Sequence, residues 1–363
     1  MKRRIIIAGG GTGGHIFPAL AIANALKKKD PEMDILFVGA RGKMEMEKIP
    51  EAGYPIIGID IAGYNRSSLI KNFALPYKLI KSFLQVKGIF ENFKPQAAIG
   101  VGGYSTFPVL RYAQAKGIPT FIHESNSVAG KSNRLLGKKA TRIFAASDGM
   151  EKFFPAGRLM LTGNPVRKNV VANRISREEG ISFFDLDPRY TTVLITGGSL
   201  GAKSMNEAID AGMHLLMKNE IQLIWQTGKS FAAQAAKYAS ESRLVWTGEF
   251  ISKMEFAYAA ADIVVSRSGS VLYELCAVRK PVIFVPYPHA AEDHQTINAE
   301  NLVRKNAAVL VPDKDAGKNL VTEIIELAKN KQKQETLKEN IGKLAITDAD
   351  EKIATEILKT FNA

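Results

Sequence analysis

A histidine stands directly behind a run of glycines near the start of the chain, in Ala8-Gly9-Gly10-Gly11-Thr12-Gly13-Gly14-His15. An imidazole there can take a proton at neutral pH, so His15 is a candidate general base. Position alone leaves a second role open, a histidine that only orders the loop. The glycines let backbone N–H groups approach an anion closely, and the start of the following helix adds partial positive charge. Thr196-Gly197-Gly198-Ser199-Leu200-Gly201-Ala202-Lys203 repeats the device in the second half. A diphosphate suits such loops. Gly9, Gly11 and Gly14 also satisfy the dinucleotide fingerprint, and Arg41, just past the second apolar run, keeps an NADP-dependent oxidoreductase open as an alternative. The second loop is not a P-loop, because a residue separates Gly201 from Lys203.

Three further clusters follow short apolar runs. His123-Glu124-Ser125-Asn126 offers a second carboxylate base in Glu124, against the plainer reading of a hydrogen-bonded loop pair. Gly100-Val101-Gly102-Gly103-Tyr104-Ser105 is another glycine turn, a place for a second anionic group or simply a tight turn. Ser266-Arg267-Ser268-Gly269-Ser270-Val271-Leu272-Tyr273-Glu274 ends in a glutamate one to two turns into a helix, where a carboxylate can accept both ribose hydroxyls. Glu292-Asp293-His294-Gln295 looks like a metal cluster, but consecutive residues on a helix point in different directions. The Asp-x-Asp sequences Asp185-Leu186-Asp187 and Asp348-Ala349-Asp350 read as solvated linkers. No metal and no cofactor are expected.

The elements that must position these residues are strands alternating with helices. Apolar runs at 5–8, 35–38, 97–101, 120–122 and 142–145 predict one parallel sheet, and runs at 192–196, 222–226, 262–266, 282–285 and 308–311 predict a second. The α/β chain of 363 residues therefore divides into two Rossmann-like domains, 1–165 and 166–345. A terminal helix over 346–363, with Ile353, Ile357 and Leu358 at helical spacing, is expected to pack back on the first domain.

Charge separates the two halves. The net charge is +13, and up to residue 165 there are 24 basic and 11 acidic residues, so the remainder is balanced. An anionic partner, phospholipid or nucleic acid, would thus meet the first half. The segment holding Arg66, Lys71, Phe73, Leu75, Lys78, Leu79, Lys81 and Phe83 mixes bulky apolar with basic residues, as a phospholipid-facing helix does. Its alternative is an amphipathic helix burying its apolar side in its own core. No stretch reaches the ~18 to 20 apolar residues of a membrane span. One cysteine, Cys276, excludes an intramolecular disulfide and suits a reducing cytoplasm.

Taken in order, Gly10-Gly11-Thr12-Gly13-Gly14-His15-Ile16-Phe17-Pro18, Gly102-Gly103-Tyr104, His123-Glu124-Ser125-Asn126, Thr162-Gly163-Asn164-Pro165-Val166-Arg167, Gly197-Gly198-Ser199-Leu200-Gly201-Ala202, Glu249-Phe250-Ile251 and Asp293-His294-Gln295 resemble the MurG family of N-acetylglucosaminyltransferases. The resemblance implies the GT-B fold, with acceptor and membrane on the first domain and UDP-sugar mainly on the second. It implies inverting, metal-independent transfer from UDP-N-acetylglucosamine to undecaprenyl-pyrophosphoryl-muramyl-pentapeptide, at the cytoplasmic face of a bacterial membrane and without nucleic acid. By motif, Thr12, Gly13, Gly14 and Asn126 would reach the donor sugar, and Arg167 and Ser199 the diphosphate. Ile251 would meet uracil through its backbone, Glu274 the ribose and Gln295 the sugar hydroxyls, with Gly103 and Tyr104 on the acceptor. His15 is the expected base and Glu124 the second choice. A binder of acidic lipid without catalysis remains the other alternative.

Overall fold

The computed structural model describes residues 2–63, 75–172, 175–198 and 200–361. The chain forms two compact units, Met1–Arg167 with Thr347–Ala363, and Lys168–Ile346.

The first unit is built on strands β1 (Arg4–Ala8), β2 (Asp34–Ala40), β3 (Ile56–Ile59), β4 (Ala97–Gly100), β5 (Thr120–Glu124), β6 (Arg142–Ala145) and β7 (Leu159–Leu161). All pairings are parallel and the order is β3-β2-β1-β4-β5-β6-β7. Side chains alternate between faces, and here both faces are covered. Ile5 and Ile7 join the cluster under the helix Gly13–Lys29, while Ile6 and Ala8 join the one under the helices Leu75–Phe93 and Thr106–Ala115. This explains why the strand reads as an unbroken apolar run. The helix Ala349–Lys359 completes the first face with Ile353, Ala354 and Ile357, all fully buried, and Arg142–Glu356 and Lys28–Glu351 ion pairs of 2.9 Å flank it.

The second unit repeats the plan with β8 (Thr191–Thr196), β9 (Ile221–Gln226), β10 (Val245–Gly248), β11 (Ile263–Ser266), β12 (Val282–Phe284) and β13 (Val309–Leu310), in the order β10-β9-β8-β11-β12-β13. Val193 and Ile195 face one core, Leu194 the other.

In each sheet the chain winds outward one way from the first strand and then returns to its other side. The strand order reverses between β1 and β4, and again between β8 and β11. Loops leaving the carboxyl ends of those strands diverge at the reversal and open a crevice, the place where open α/β sheets bind ligands.

Candidate functional site

Both glycine runs, the Gly102-Gly103 turn and the Arg267–Ser270 loop follow β1, β8, β4 and β11, the four strands that flank the two reversals. These four loops therefore lie at the two crevices, one per unit.

In the first, Gly10 and Gly11 have φ of +148° and +88°, and Gly102 and Gly103 of +102° and +90°. Those values are open to glycine and strained for other residues. Space is equally tight: a Cβ on Gly103 would lie 2.4 Å from the Gly10 oxygen, and one on Gly10 would lie 2.2 Å from the Glu45 carboxyl carbon. Gly10 N–H donates to Gly102 O at 3.2 Å, which ties the two turns together. His15, in the first turn of the helix Gly13–Lys29, has Nδ1 3.1 Å from Gly10 O and its Nε2 edge against Gly102. A carbonyl can only accept, so this contact favours the tautomer with its proton on Nδ1. That is the tautomer a base acting through Nε2 needs.

Sequence reasoning missed Glu45, which lies five residues beyond the end of β2. Its carboxylate is 1% exposed and accepts N–H groups from Gly11 at 2.7 Å and Ala40 at 3.0 Å. The carboxylate holds an amide that the pyrophosphate of a dinucleotide would otherwise take. Arg41 is spent on Gly58 O at 3.0 Å and Asp60 at 3.4 Å. The dinucleotide reading fails on both counts. The only signal for Glu45 was an acidic residue just past the second strand, where a dinucleotide enzyme has its ribose ligand; here it turns beneath the loop instead.

Glu124, the alternative base, closes β5 with both oxygens occupied. Oε1 accepts from Asn126 N at 3.1 Å and Asn126 Nδ2 at 3.3 Å, and Oε2 from Gly130 N at 3.2 Å and Asn133 Nδ2 at 2.9 Å. It orders the loop that presents Asn126. Its neighbour His123 is 1% exposed, and neither ring nitrogen has a hydrogen-bond partner among the described residues. Burial pushes its pKa down to about 4, the nearby backbone of Gly163 opposes this without a proper hydrogen bond, and His15 adds to the depression. His123 is neutral and close enough to His15 to sense its charge. Thr12 is exposed at the helix start, Arg167 stacks on Phe17 at 5.4 Å, and Tyr104 is 48% exposed beside Gly63.

In the second crevice Gly198 and Gly201 have φ of +82° and +75°, and a Cβ on Gly201 would lie 2.1 Å from Thr227 O. Gln226, at the end of β9, donates to Gly198 O at 2.8 Å and accepts from Ile251 N at 3.1 Å. The Ile251 N–H is therefore taken, and a base would be read by its carbonyl. Ser199 lies outside the described residues, as do Lys71 and Phe73. Ser268 is fully buried, donates to Gln295 O at 2.7 Å and accepts from Asn298 Nδ2 at 3.0 Å through its carbonyl. Gln295 accepts from Tyr287 N at 2.9 Å, and its amide nitrogen would be 3.7 Å from a Cβ on Gly269. Glu274, 9% exposed, accepts from the Tyr258 hydroxyl at 3.2 Å. Glu292 and Asp293, with φ of +54° and +51°, form a strained entry to the helix His294–Val303 that carries Gln295. Both Asp-x-Asp sequences have a carboxylate held by a cation of the chain: Asp187 by Arg189 at 2.6 Å, which takes its pKa down to about 2, and Asp348 by Lys352 at 2.9 Å.

The basic segment is only partly as expected. Leu79 and Phe83 are half-buried, with Phe83 edge-on to Phe107 at 6.4 Å. Lys81 pairs with Asp60 at 2.9 Å. The apolar residues turned outward are Tyr77, Ile80 and Leu84, each at least 64% exposed and on one helix face.

Comparison with known proteins covers both units. The glycosyltransferase family 28 N-terminal domain matches residues 5–145 and its C-terminal domain residues 192–353. The UDP-N-acetylglucosamine–N-acetylmuramyl-(pentapeptide) pyrophosphoryl-undecaprenol N-acetylglucosamine transferase of Phocaeicola vulgatus is 50% identical over 98% of this chain and 96% of its own. The Cytophaga hutchinsonii enzyme of that name is 47% identical over 99% and 97%. The crystal structure of Acinetobacter baumannii MurG superposes with a TM-score of 0.77 at 26% identity, covering 99% of this chain and all of the other. A Neisseria meningitidis UDP-GlcNAc 2-epimerase, 15% identical, shares the fold at a TM-score of 0.72 over 99% of this chain and 100% of its own.

Proposed function

The chain belongs to the MurG family of glycosyltransferases, with the GT-B fold, and from that membership we propose that it transfers N-acetylglucosamine from UDP-N-acetylglucosamine to N-acetylmuramyl-(pentapeptide) pyrophosphoryl-undecaprenol, the lipid I to lipid II step of peptidoglycan synthesis. The observation that carries it is 50% identity to such a transferase along 98% of the chain, spanning both crevices.

The acceptor hydroxyl attacks the anomeric carbon of the donor as UDP leaves, inverting that centre. His15 takes the hydroxyl proton on Nε2, supported by the Nδ1 contact to Gly10 O at 3.1 Å. General-base assistance is worth roughly 10² to 10⁴-fold. Glu124 holds Asn126 toward the donor sugar rather than moving a proton, a role supported by its four hydrogen bonds. In the second unit the Gly197–Ala202 loop and the start of the helix Lys203–Lys218 meet the charge that grows on the leaving diphosphate, which oriented amides stabilise without reorganisation. Arg167 adds positive charge, and no divalent ion is required. Glu274 receives the ribose hydroxyls, Gln295 the sugar and the Ile251 carbonyl the base, while Thr12, Gly13 and Gly14 border the sugar and Gly103 and Tyr104 the acceptor.

The lipid tail of the acceptor calls for a membrane surface, and we place the first unit on the cytoplasmic face of the bacterial membrane. Tyr77, Ile80 and Leu84, with Lys78 beside them, are the contact; each apolar side chain can contribute ~1.5 to 3 kcal/mol on burial in lipid. No helix among the described residues is long and apolar enough to cross a membrane.

Incubation with UDP-N-acetylglucosamine and a short-chain lipid-linked muramyl-pentapeptide tests the reaction. Mass spectrometry should find the acceptor enlarged by one N-acetylhexosamine, and NMR should find the new linkage inverted relative to the donor. An unmodified acceptor, or a retained configuration, would contradict the proposal.

A further inference from the structure

The carbonyl that holds His15 and the N–H that Glu45 holds belong to one peptide group, the Gly10–Gly11 bond. Peptide bonds among the described residues are trans, so C=O and N–H point from opposite edges of the plane. On one edge the buried Glu45 carboxylate accepts the Gly11 N–H at 2.7 Å, and on the other the Gly10 oxygen faces His15 Nδ1 at 3.1 Å. The plane is held from both edges. Glu45 is anchored by Ala40 N–H at 3.0 Å, Gly10 N–H is tied to Gly102 O at 3.2 Å, and Gly103 packs against the Gly10 oxygen so closely that a Cβ would lie 2.4 Å away.

A carboxylate on a peptide N–H draws the proton side positive and pushes electron density to the carbonyl oxygen. That makes Gly10 O a stronger acceptor for an Nδ1–H. We propose that Glu45 is a positioning residue for His15, acting through the Gly10–Gly11 peptide as a carboxylate–peptide–imidazole relay that fixes the Nδ1–H tautomer and stabilises the imidazolium. No proton crosses the peptide. The hydroxyl proton goes to Nε2 and Nδ1 keeps its own. The arrangement resembles the use of a carboxylate to orient a catalytic histidine, with a peptide group inserted between the two. The other titratable ring beside His15, His123 on β5, is buried and neutral and does not compete for the charge.

The inference rests on His15 as the base, and its test separates the two claims. In the full-length protein with ¹⁵N-labelled imidazoles, the His15 signals are assigned by their loss in His15→Asn. At a pH where the ring is neutral, wild type should show protonated Nδ1 and unprotonated Nε2; the opposite tautomer overturns the relay without any variant of Glu45. Glu45→Gln offers one acceptor oxygen to two N–H donors and carries no charge, so the tautomers should become mixed. Turnover should fall about 10-fold at unchanged KM for UDP-N-acetylglucosamine, a modest share of the effect of a general base. Added to His15→Ala, the same substitution should change the residual turnover by less than about 2-fold, as expected of residues acting as a unit. An unchanged tautomer in Glu45→Gln, or a full further loss in the His15→Ala background, refutes the relay. A mixed tautomer with undiminished turnover in both single variants keeps the relay and removes His15 as the base.

Discussion

Two histidines sit within reach of each other's charge in the first crevice, and the fold treats them oppositely. His15 is half-exposed with a carbonyl on one nitrogen, whereas His123 is sealed off with no hydrogen-bond partner among the described residues. Burying an imidazole without a partner disfavours its charged form. The folded protein therefore refuses the proton on His123 down to about pH 4, while the unfolded chain takes one up near 6.5. Stability should fall as pH drops below about 6.5 and level off near 4, a span worth about 3 kcal/mol in all. Denaturant unfolding of wild type and His123→Gln at pH 7 and 5 checks this: wild type should lose about 2 kcal/mol more than the variant over that interval. Equal losses would contradict it. At this scale the sequence was legible where a residue's neighbours in the chain are also its neighbours in space. The glycine run predicts the environment of His15, and Glu124 bonds within nine residues of itself. Glu45 was not legible, because its 34-residue separation from Gly11 becomes a contact only when β1 and β2 pair.

Among the elements, the strand ends carry the site and tolerate little change. Leu200 and Gly201 are pressed against the loop after β9, so Gly201→Ala would add a Cβ 2.1 Å from Thr227 O at φ +75°. Gly53 has a similar φ, +84°, but an added Cβ there would meet nothing within 4 Å. Gly53→Ala should thus cost only backbone strain, about 1 kcal/mol, with UDP affinity intact, while Gly201→Ala should cost about 3 kcal/mol or more and weaken UDP binding. Thermal unfolding and calorimetric UDP titration report both quantities, and matching behaviour of the two variants would refute the account of the loop. The central strands were readable because both faces are buried and most residues are apolar, as in Ile5-Ile6-Ile7-Ala8. Strands β3, β7 and β10 were missed. They are edge strands of three or four residues, and half-exposed positions such as Ile57, Leu161 and Trp246 blur the pattern. The helix Leu75–Phe93 was placed, but its outward face was not: periodicity marks an apolar stripe without saying whether it faces the core or the solvent.

For the whole molecule, the proposed contact with an anionic membrane rests on the excess positive charge of the first half and the exposed stripe of Tyr77, Ile80 and Leu84. Replacing those three by serine should lower binding to vesicles containing anionic phospholipid by at least 10-fold, given the apolar burial lost. Turnover of a soluble short-chain acceptor should be unchanged. Lys81→Glu is a poorer probe, since it also breaks the ion pair with Asp60. Undiminished sedimentation with vesicles after the triple substitution would rule out the stripe as the contact. The proposed reaction is acceptor-dependent transfer that needs no metal. Its most direct measurement is UDP release from UDP-N-acetylglucosamine in excess EDTA, with and without the lipid-linked muramyl-pentapeptide. Release should depend on the acceptor and be untouched by the chelator; release that requires added magnesium, or none under either condition, would contradict metal-independent transfer.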